Sequence, residues 1–404
     1  MLYQLHEAQH ASLAPLRLWA KVTAEFYGNP FSVLSHNPMS RVMNAGADVI
    51  LRMTHRYGKP EFGLSETMIQ GKRVDVADEI VLEKPFCELL HFKRDTKRND
   101  PKVLMVAPMS GHYATLLRDT VKTFLPDHDV YITDWRDARM VPVSEGAFSF
   151  DDYVAYVQEF IRFLGSDVNV VSVCQPTVPV LAAISLMAQH GEKTPKSMLM
   201  MGGPIDTRRS PTVVNNFALK HPIEWFENRL ISRVPAKYPG FSRNVYPGFL
   251  QLAGFVAMNP DRHIDSHKDY FYHLVKGDGD SADQHRKFYD EYNAVMDLPA
   301  EYYLDTIKAV FQEHHLPLGK MMVAGERVNP AAIKTTALFS IEGELDDISG
   351  NGQTEAAHGL CKGIAAARHQ HLLAKDVGHY GIFSGRRFRE NIYPKMTAFI
   401  RKFA

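Results

Sequence analysis

The sequence has few cysteines, no surplus charge of either sign and no long apolar run. Its three cysteines, Cys87, Cys174 and Cys361, are an odd number and lie far apart, which argues against a disulfide framework or a zinc knuckle. The 46 basic and 46 acidic residues balance, whereas a general nucleic-acid binder needs excess positive charge to neutralise phosphates. No apolar stretch reaches the roughly 18 residues that a membrane span requires. We therefore expect no nucleic-acid partner and no membrane span.

The first 26 residues carry acidic and histidine residues where a secretory signal would have a basic cap and an unbroken apolar stretch. This pattern predicts a cytoplasmic protein. Two pairs of histidines, His314 with His315 and His369 with His371, lack companion ligands at metal spacing. The sequence therefore predicts neither a metal nor a cofactor.

The order of apolar segments predicts an α/β protein with three regions. Residues 1–66 show apolar positions every three or four residues, which predicts an N-terminal helical region. Strand-like and helix-like segments alternate through 67–206 and 333–404, which predicts a mostly parallel central sheet with flanking helices. Residues 207–332 show no clear strand and are rich in aromatic side chains, which predicts an inserted helical lid.

The segment VVSVCQPTVPVLAA contains one cysteine, Cys174, between an apolar β-branched run and a helical pattern. A strand followed by a sharp turn and a helix is the site on which α/β-hydrolases carry their nucleophile. We therefore predict an α/β-hydrolase fold, with the sulfur above the sheet and the Gln175 backbone N–H as an oxyanion donor. A buried structural cysteine at the end of a core strand is the alternative.

Two downstream segments strengthen the catalytic interpretation. IEGELDDISG places Asp346 just after a strand, and VGHYG places His379 in a glycine-flanked loop after the next strand. The chain order of nucleophile, acid and histidine is that of α/β-hydrolases. His379 would accept the thiol proton of Cys174, and Asp346 would orient the imidazole. Asp347 is the alternative acid.

The loop after the VLMVAP strand is the expected source of a second oxyanion donor. Met109 and Ser110 are the candidates for a backbone N–H at this position, although Ser110 could equally be a simple turn residue. His112, in the same loop, is a candidate for contact with the substrate.

The segments SVCQPTVPVLAA, EGELDDISGNGQT and DVGHYGIFSGRRFRE together resemble the intracellular polyhydroxyalkanoate depolymerase family, in particular the enzymes that mobilise stored polyhydroxybutyrate with a cysteine nucleophile. The resemblance implies that Cys174 is the nucleophile, Asp346 the acid and His379 the base. It also implies a cytoplasmic protein associated with polyester storage granules, which releases 3-hydroxybutyrate oligomers or monomer.

Other functions remain open at the level of the sequence. One is an acyltransferase of polyhydroxyalkanoate synthase type, although this chain lacks the glycines that synthases have around the cysteine. Two others are coenzyme A-dependent thiolysis of the polymer and a non-catalytic granule-binding role. The sequence leaves open whether the chain forms a homodimer. Aromatic side chains of the predicted lid could contact the polymer. They are Trp225, Phe226, Tyr238, Phe241, Tyr246, Phe249, Tyr270, Phe271, Tyr272, Tyr302 and Tyr303.

Overall fold

The computed structural model of the protein describes residues 2–29, 31, 37–258 and 260–403. The predicted N-terminal region, lid and core therefore include a few positions outside the described residues, namely 1, 30, 32–36, 259 and 404. None of the described helices is both long and apolar enough to cross a membrane. The three region boundaries given above stay a prediction.

The N-terminal region begins with three helices, α1 (Leu2–Ser12), α2 (Ala14–Gly28) and α3 (Pro38–Thr54). The Asn37 side chain accepts a hydrogen bond from the Met39 N–H, which caps the start of α3. Residues 55–65 contain neither helix nor strand, so the expectation of helix up to residue 66 is wrong there. Gly58 and Pro60 disfavour helix in this stretch.

The strands and the remaining helices follow in chain order. The strands are β1 (Glu66–Ile69), β2 (Lys72–Lys84), β3 (Cys87–Arg94), β4 (Lys102–Val106), β5 (Asp129–Trp135), β6 (Asn169–Val173), β7 (Ser197–Met201), β8 (Ser232–Arg233), β9 (Asn244–Tyr246), β10 (Leu298–Pro299), β11 (Met322–Val323), β12 (Glu326–Arg327), β13 (Ala337–Gly343) and β14 (His369–Ala374). The helices are α4 (Arg118–Phe124), α5 (Phe150–Leu164), α6 (Thr177–Gln189), α7 (Val213–Lys220), α8 (Ile223–Leu230), α9 (Gly248–Met258), α10 (Pro260–Lys276), α11 (Gly279–Tyr292), α12 (Ala300–Thr306), α13 (Ala356–Leu360), α14 (Gly385–Arg387) and α15 (Tyr393–Phe403).

Nine strands of the described chain form one sheet in the order β1-β2-β3-β5-β4-β6-β7-β13-β14. The pairs from β5 to β14 are parallel, whereas β1, β2 and β3 add an antiparallel edge. Every side chain of β6 and β7 is buried, as expected for parallel strands covered by helices on both faces. The predicted α/β-hydrolase fold, with its mostly parallel sheet, is confirmed.

The helices beside β6 fix the centre of the sheet. Ser149 and Asp152 form a reciprocal capping box at the start of α5. Helix α6 is buried along all of Thr177–Met187, so it is a core helix directly behind the strand-to-helix turn. Because β6, β13 and β14 run parallel, their carboxyl ends lie at the same edge of the sheet. This edge receives the three residues predicted to be catalytic.

The segment between β7 and β13 is mainly helical, as expected for an insertion. It also contains five short strands, β8 to β12, each only two or three residues long, which the sequence pattern did not indicate. Of the eleven aromatic side chains proposed for polymer contact, only Phe241 and Tyr272 are exposed. The others are buried or half-buried, because they pack the inserted helices against one another and against the core.

Candidate active site

Cys174 lies at a strained turn between β6 and α6. Its φ of +67° is in the left-handed region, which is uncommon for a residue with a side chain. The Cys174 N–H donates to the Met201 carbonyl at 2.7 Å, and the Cys174 carbonyl accepts from the Thr177 N–H at 3.2 Å. These bonds hold the backbone in the turn and leave the thiol half-buried rather than enclosed in the core. The strained conformation is typical of a nucleophile elbow.

His379 and Asp346 meet at the same edge of the sheet. His379 opens a short 3₁₀ turn, His379–Ile382, that follows β14, and Asp346 lies in the loop that follows β13. The His379 Nδ1 atom lies 2.8 Å from Asp346 Oδ2. Asp346 Oδ1 accepts the backbone N–H groups of Ile348 and Ser349 at 2.9 and 2.8 Å. Asp347, the alternative acid, is exposed to solvent.

The charges around His379 favour its protonated form. Burial of the ring works against the charge, but the negative charges of Cys174 and Asp346 outweigh this effect and hold the pKa of His379 well above its usual 6.5. Because Nδ1 is engaged by Asp346, the opposite nitrogen Nε2 is left free of this carboxylate and can accept a proton. The arrangement suits transfer of a proton from the Cys174 thiol to the imidazole, which would make the sulfur a stronger nucleophile.

The loop after β4 approaches the start of α6, and the role of this loop as a second oxyanion donor stays a prediction. The Met109 N–H donates to the Gln175 side-chain oxygen Oε1 at 3.4 Å. Met109 and Gln175 are thus brought together beside Cys174. The side-chain oxygen of Gln175 is the acceptor of the Met109 N–H. No hydrogen bond joins Ser110 to Gln175 among the described residues, and Ser110 is half-buried in the same loop.

His112 is buried between the core and the inserted segment. Its Nε2 lies 3.0 Å from the Tyr292 carbonyl oxygen, and its ring stacks on Phe255 with centroids 5.0 Å apart. Burial lowers the pKa of His112 to about 4, so the imidazole is neutral at physiological pH. These contacts dock the inserted segment on the core, and a role of His112 in substrate binding stays a prediction.

Gly202 lies beside the candidate triad, a position that the sequence did not indicate because no local motif around it points to catalysis. Gly202 has φ +54°, and a Cβ atom there would lie 2.5 Å from Ile382 Cδ1, 3.2 Å from Asp346 Oδ2 and 3.3 Å from His379 Cε1. The absent side chain therefore leaves the space in which the imidazole and the carboxylate meet.

The described residues offer no arrangement of three His, Cys, Asp or Glu side chains that could hold a metal ion. At this edge of the sheet lie the Cys174 thiol, the His379 imidazole and backbone N–H groups. A nucleophile, a base oriented by a carboxylate and nearby N–H donors are the parts that acyl transfer requires.

The C-terminal half of the chain matches a known family. The family model described as PHB de-polymerase C-terminus covers residues 202–404, half of the chain. The protein belongs to this family. The match to the PHB de-polymerase C-terminus contains Gly202, Asp346 and His379, whereas Cys174 precedes it. No curated protein matches the chain significantly.

Solved structures with a similar course of the chain share little sequence with it. A putative lipase from Acinetobacter baumannii AYE has 12% identity and a TM-score of 0.45, with 81% of this chain and 92% of that chain covered. For Rv0554 from Mycobacterium tuberculosis the identity is 14% and the TM-score 0.46, with 84% and 98% covered. A structure from a study of carboxylesterases of Nitrososphaera gargenis has 12% identity and a TM-score of 0.40, with 84% and 100% covered.

Proposed function

We propose that this protein is a carboxylic ester hydrolase that cleaves stored poly(3-hydroxybutyrate) and releases 3-hydroxybutyrate oligomers or monomer. The proposal depends above all on one observation: the His379 imidazole, held by Asp346, lies at the edge of the sheet that also carries Cys174 at an elbow with positive φ. Membership of the PHB de-polymerase C-terminus family supports the choice of a polyester as the substrate.

In the proposed reaction His379 Nε2 takes the Cys174 thiol proton, and the sulfur attacks an ester carbonyl carbon. The carbonyl oxygen becomes an oxyanion, for which the Gln175 and Met109 N–H groups are the proposed donors; the substrate oxygen would replace Gln175 Oε1 at Met109. The C–O bond then breaks, and His379 gives its proton to the departing alcohol. Water, deprotonated by His379, hydrolyses the acyl-thioester and restores the thiol.

The proposal includes association with cytoplasmic storage granules. An amorphous polyester surface is apolar and carries no charge, so contact with it favours exposed apolar side chains. Helix α2 exposes five large ones, and four of them, Leu18, Trp19, Val22 and Phe26, are at least half exposed. In the inserted segment, Phe241 and Tyr272 add two exposed aromatic rings.

Incubation of the purified protein with native poly(3-hydroxybutyrate) granules tests the proposal. We expect soluble 3-hydroxybutyrate products from the parent and from a Cys361→Ala control, which also removes a thiol, and none from Cys174→Ala. Equal release by Cys174→Ala would contradict the proposal. Addition of coenzyme A distinguishes hydrolysis from thiolysis, since only thiolysis yields a hydroxyacyl-coenzyme A thioester.

A further inference from the structure

The loop after β4, residues 107–113, is joined to the inserted segment by main-chain hydrogen bonds. The Met296 N–H donates to the Gly111 carbonyl at 2.8 Å. The adjacent residues His112 and Val295 are paired in antiparallel orientation. We call this loop the donor loop, because it carries the second proposed oxyanion donor. Its conformation depends on a stretch of chain that belongs to the insertion.

Gln251 of α9 holds Met296 by its carbonyl group. The amide nitrogen Nε2 of Gln251 donates to the Met296 carbonyl at 3.1 Å and to the Tyr246 carbonyl at 3.2 Å. The Gln251 side chain is only 4% exposed, so these bonds lie in the interior, where a lost donor leaves a buried carbonyl unpaired. Met296 is therefore bound to α9 through its carbonyl and to the donor loop through its N–H.

Two glycines permit the close packing of α9, Met296 and the donor loop. A Cβ atom on Gly248, the first residue of α9, would lie 2.9 Å from the Met296 carbonyl oxygen. A Cβ atom on Gly111, where φ is +117°, would lie 2.7 Å from Gln251 Oε1. Both distances are too short for a methyl group. Because the three parts are in direct contact, a displacement of α9 would also displace the donor loop.

Asp297, which is 2% exposed, anchors the same arrangement from the next position in the chain. Its Oδ1 accepts the Gly248 N–H at 2.8 Å, and its Oδ2 accepts the Tyr3 hydroxyl at 2.7 Å. The Asp297 N–H donates to Asp137 Oδ1 at 3.2 Å. The other oxygen of Asp137 accepts the hydroxyl of Tyr113, at the end of the donor loop, at 3.2 Å. This network therefore holds both the start of α9 and the end of the donor loop.

We propose that Gln251 and Asp297 are positioning residues for the second oxyanion donor, the Met109 N–H. They hold the donor loop in the conformation that presents this N–H to the carbonyl oxygen of the bound ester. Oxyanion donors act only at the correct distance from the oxygen, so the insertion contributes to catalysis through the geometry of the loop. The inference rests on the proposed function, since it assumes that Cys174 attacks an ester.

The test compares two reactions of the Cys174 sulfur. Hydrolysis of p-nitrophenyl butyrate passes through an oxyanion and requires the donor. In alkylation by iodoacetamide the sulfur bonds to the CH₂ carbon, the C–I bond breaks, iodide leaves and the thiol proton is lost, so no oxyanion forms. Because Cys87 and Cys361 are buried, alkylation at Cys174 can be followed by peptide mass spectrometry. Its rate reports on the nucleophile without the donor.

In Gln251→Met the side chain keeps its length but can no longer donate. We expect kcat on p-nitrophenyl butyrate to fall at least about tenfold, a part of the about 10²–10³-fold that loss of an oxyanion donor costs, with the alkylation rate within about twofold of the parent. Gln312→Met is the matched control, because Gln312 also lies in the insertion and donates to two carbonyls, those of Ala218 and His221, at 2.9 and 2.8 Å. This control should retain parental kcat.

Two results would overturn the inference. One is parental kcat in Gln251→Met. The other is an equal loss of ester hydrolysis and alkylation, since a merely structural change would disturb the nucleophile as well. If Gln251→Met fails to fold, Asp297→Asn allows the same comparison with the same expected result. Its amide keeps the shape of the side chain but has one oxygen, which cannot accept from both Gly248 and Tyr3.

Cys174→Ala separates the inference from the proposed function. Loss of ester hydrolysis in Cys174→Ala, with parental kcat in Gln251→Met, would contradict only the positioning role. Full activity of Cys174→Ala on the ester would contradict the proposed function and, with it, the inference.

Discussion

Asp346 holds His379 by a single hydrogen bond of 2.8 Å between Oδ2 and Nδ1, while its other carboxylate oxygen is held by two backbone N–H groups of its own loop. The carboxylate is thereby fixed at both ends, so the imidazole that it contacts is fixed in orientation and tautomer. Asp347 is exposed, so a substitution of Asp347 is a suitable control for the same substitution of Asp346.

Asp346→Asn is expected to lower kcat on a soluble ester by about 10²–10⁴-fold, because the amide no longer stabilises the imidazolium and permits the wrong tautomer. Asp347→Asn, with the same chemical change one residue away, should retain parental kcat. Steady-state kinetics of both variants on p-nitrophenyl butyrate measure the difference. Similar losses in both variants would contradict the assignment of the acid.

Cys174→Ala is expected to lower the pKa of His379. A negative sulfur beside the ring favours imidazolium, so its removal makes the proton easier to lose. NMR titration of the His379 ring, assigned by comparison with His379→Gln, measures the pKa in the parent and in the variant. An unchanged or higher pKa in Cys174→Ala would show that the sulfur and the ring do not form a charged pair.

The three residues of the candidate triad could be predicted from the sequence because each lies within five residues of the carboxyl end of a strand, namely β6, β13 or β14. In a parallel sheet, the carboxyl ends of the strands lie at one edge regardless of their separation along the chain. The alternation of strands and helices was therefore enough to predict that Cys174, Asp346 and His379 lie at the same edge. The turn at Cys174 could also be predicted, since a strand, a cysteine and Pro176 before a helical pattern indicate a sharp turn.

The place of Gly202 beside the candidate triad and the burial of Tyr302 could not be predicted in this way. The need for glycine at 202 comes from Ile382, Asp346 and His379, which are distant in the sequence, and no local pattern reports that proximity. The aromatic residues of the insertion look alike in the sequence. Their burial depends on how the inserted helices pack against the core, which hydrophobic periodicity does not specify.

Gly202→Ala is expected to lower the free energy of unfolding by about 1–3 kcal/mol, through a crowded Cβ and a φ that alanine disfavours. It should also reduce kcat, since the methyl group would contact His379 and Asp346. Gly46→Ala in α3, where a Cβ meets nothing within 4 Å, is the control and should be neutral or stabilising. Chemical denaturation and ester kinetics measure both effects; parental stability and kcat in Gly202→Ala would contradict the expectation.

A buried group of charges joins α1, the core and the inserted segment away from the thiol. The Asp137 carboxylate lies 2.9 Å from the Arg139 guanidinium, and the Tyr3 hydroxyl donates to Asp297 at 2.7 Å. The Asp297 N–H also donates to Asp137 at 3.2 Å. Burial and the charge of Asp297 raise the pKa of Asp137 to about 7, against the opposing effect of Arg139.

This pKa predicts how stability changes with pH. An unfolded aspartate has a pKa of about 3.9, so between about pH 4 and pH 7 the folded chain retains a proton that the unfolded chain has lost. The contribution of Asp137 to the free energy of unfolding therefore falls as pH rises through this range. In Asp137→Asn the side chain cannot titrate, so the free energy of unfolding should fall less with pH than in the parent. Asp347→Asn, which changes an exposed carboxylate, should show the same fall as the parent. Urea unfolding at pH 5 and pH 8 measures the change, and an equal decline in Asp137→Asn and the parent would mean that Asp137 is ionised throughout.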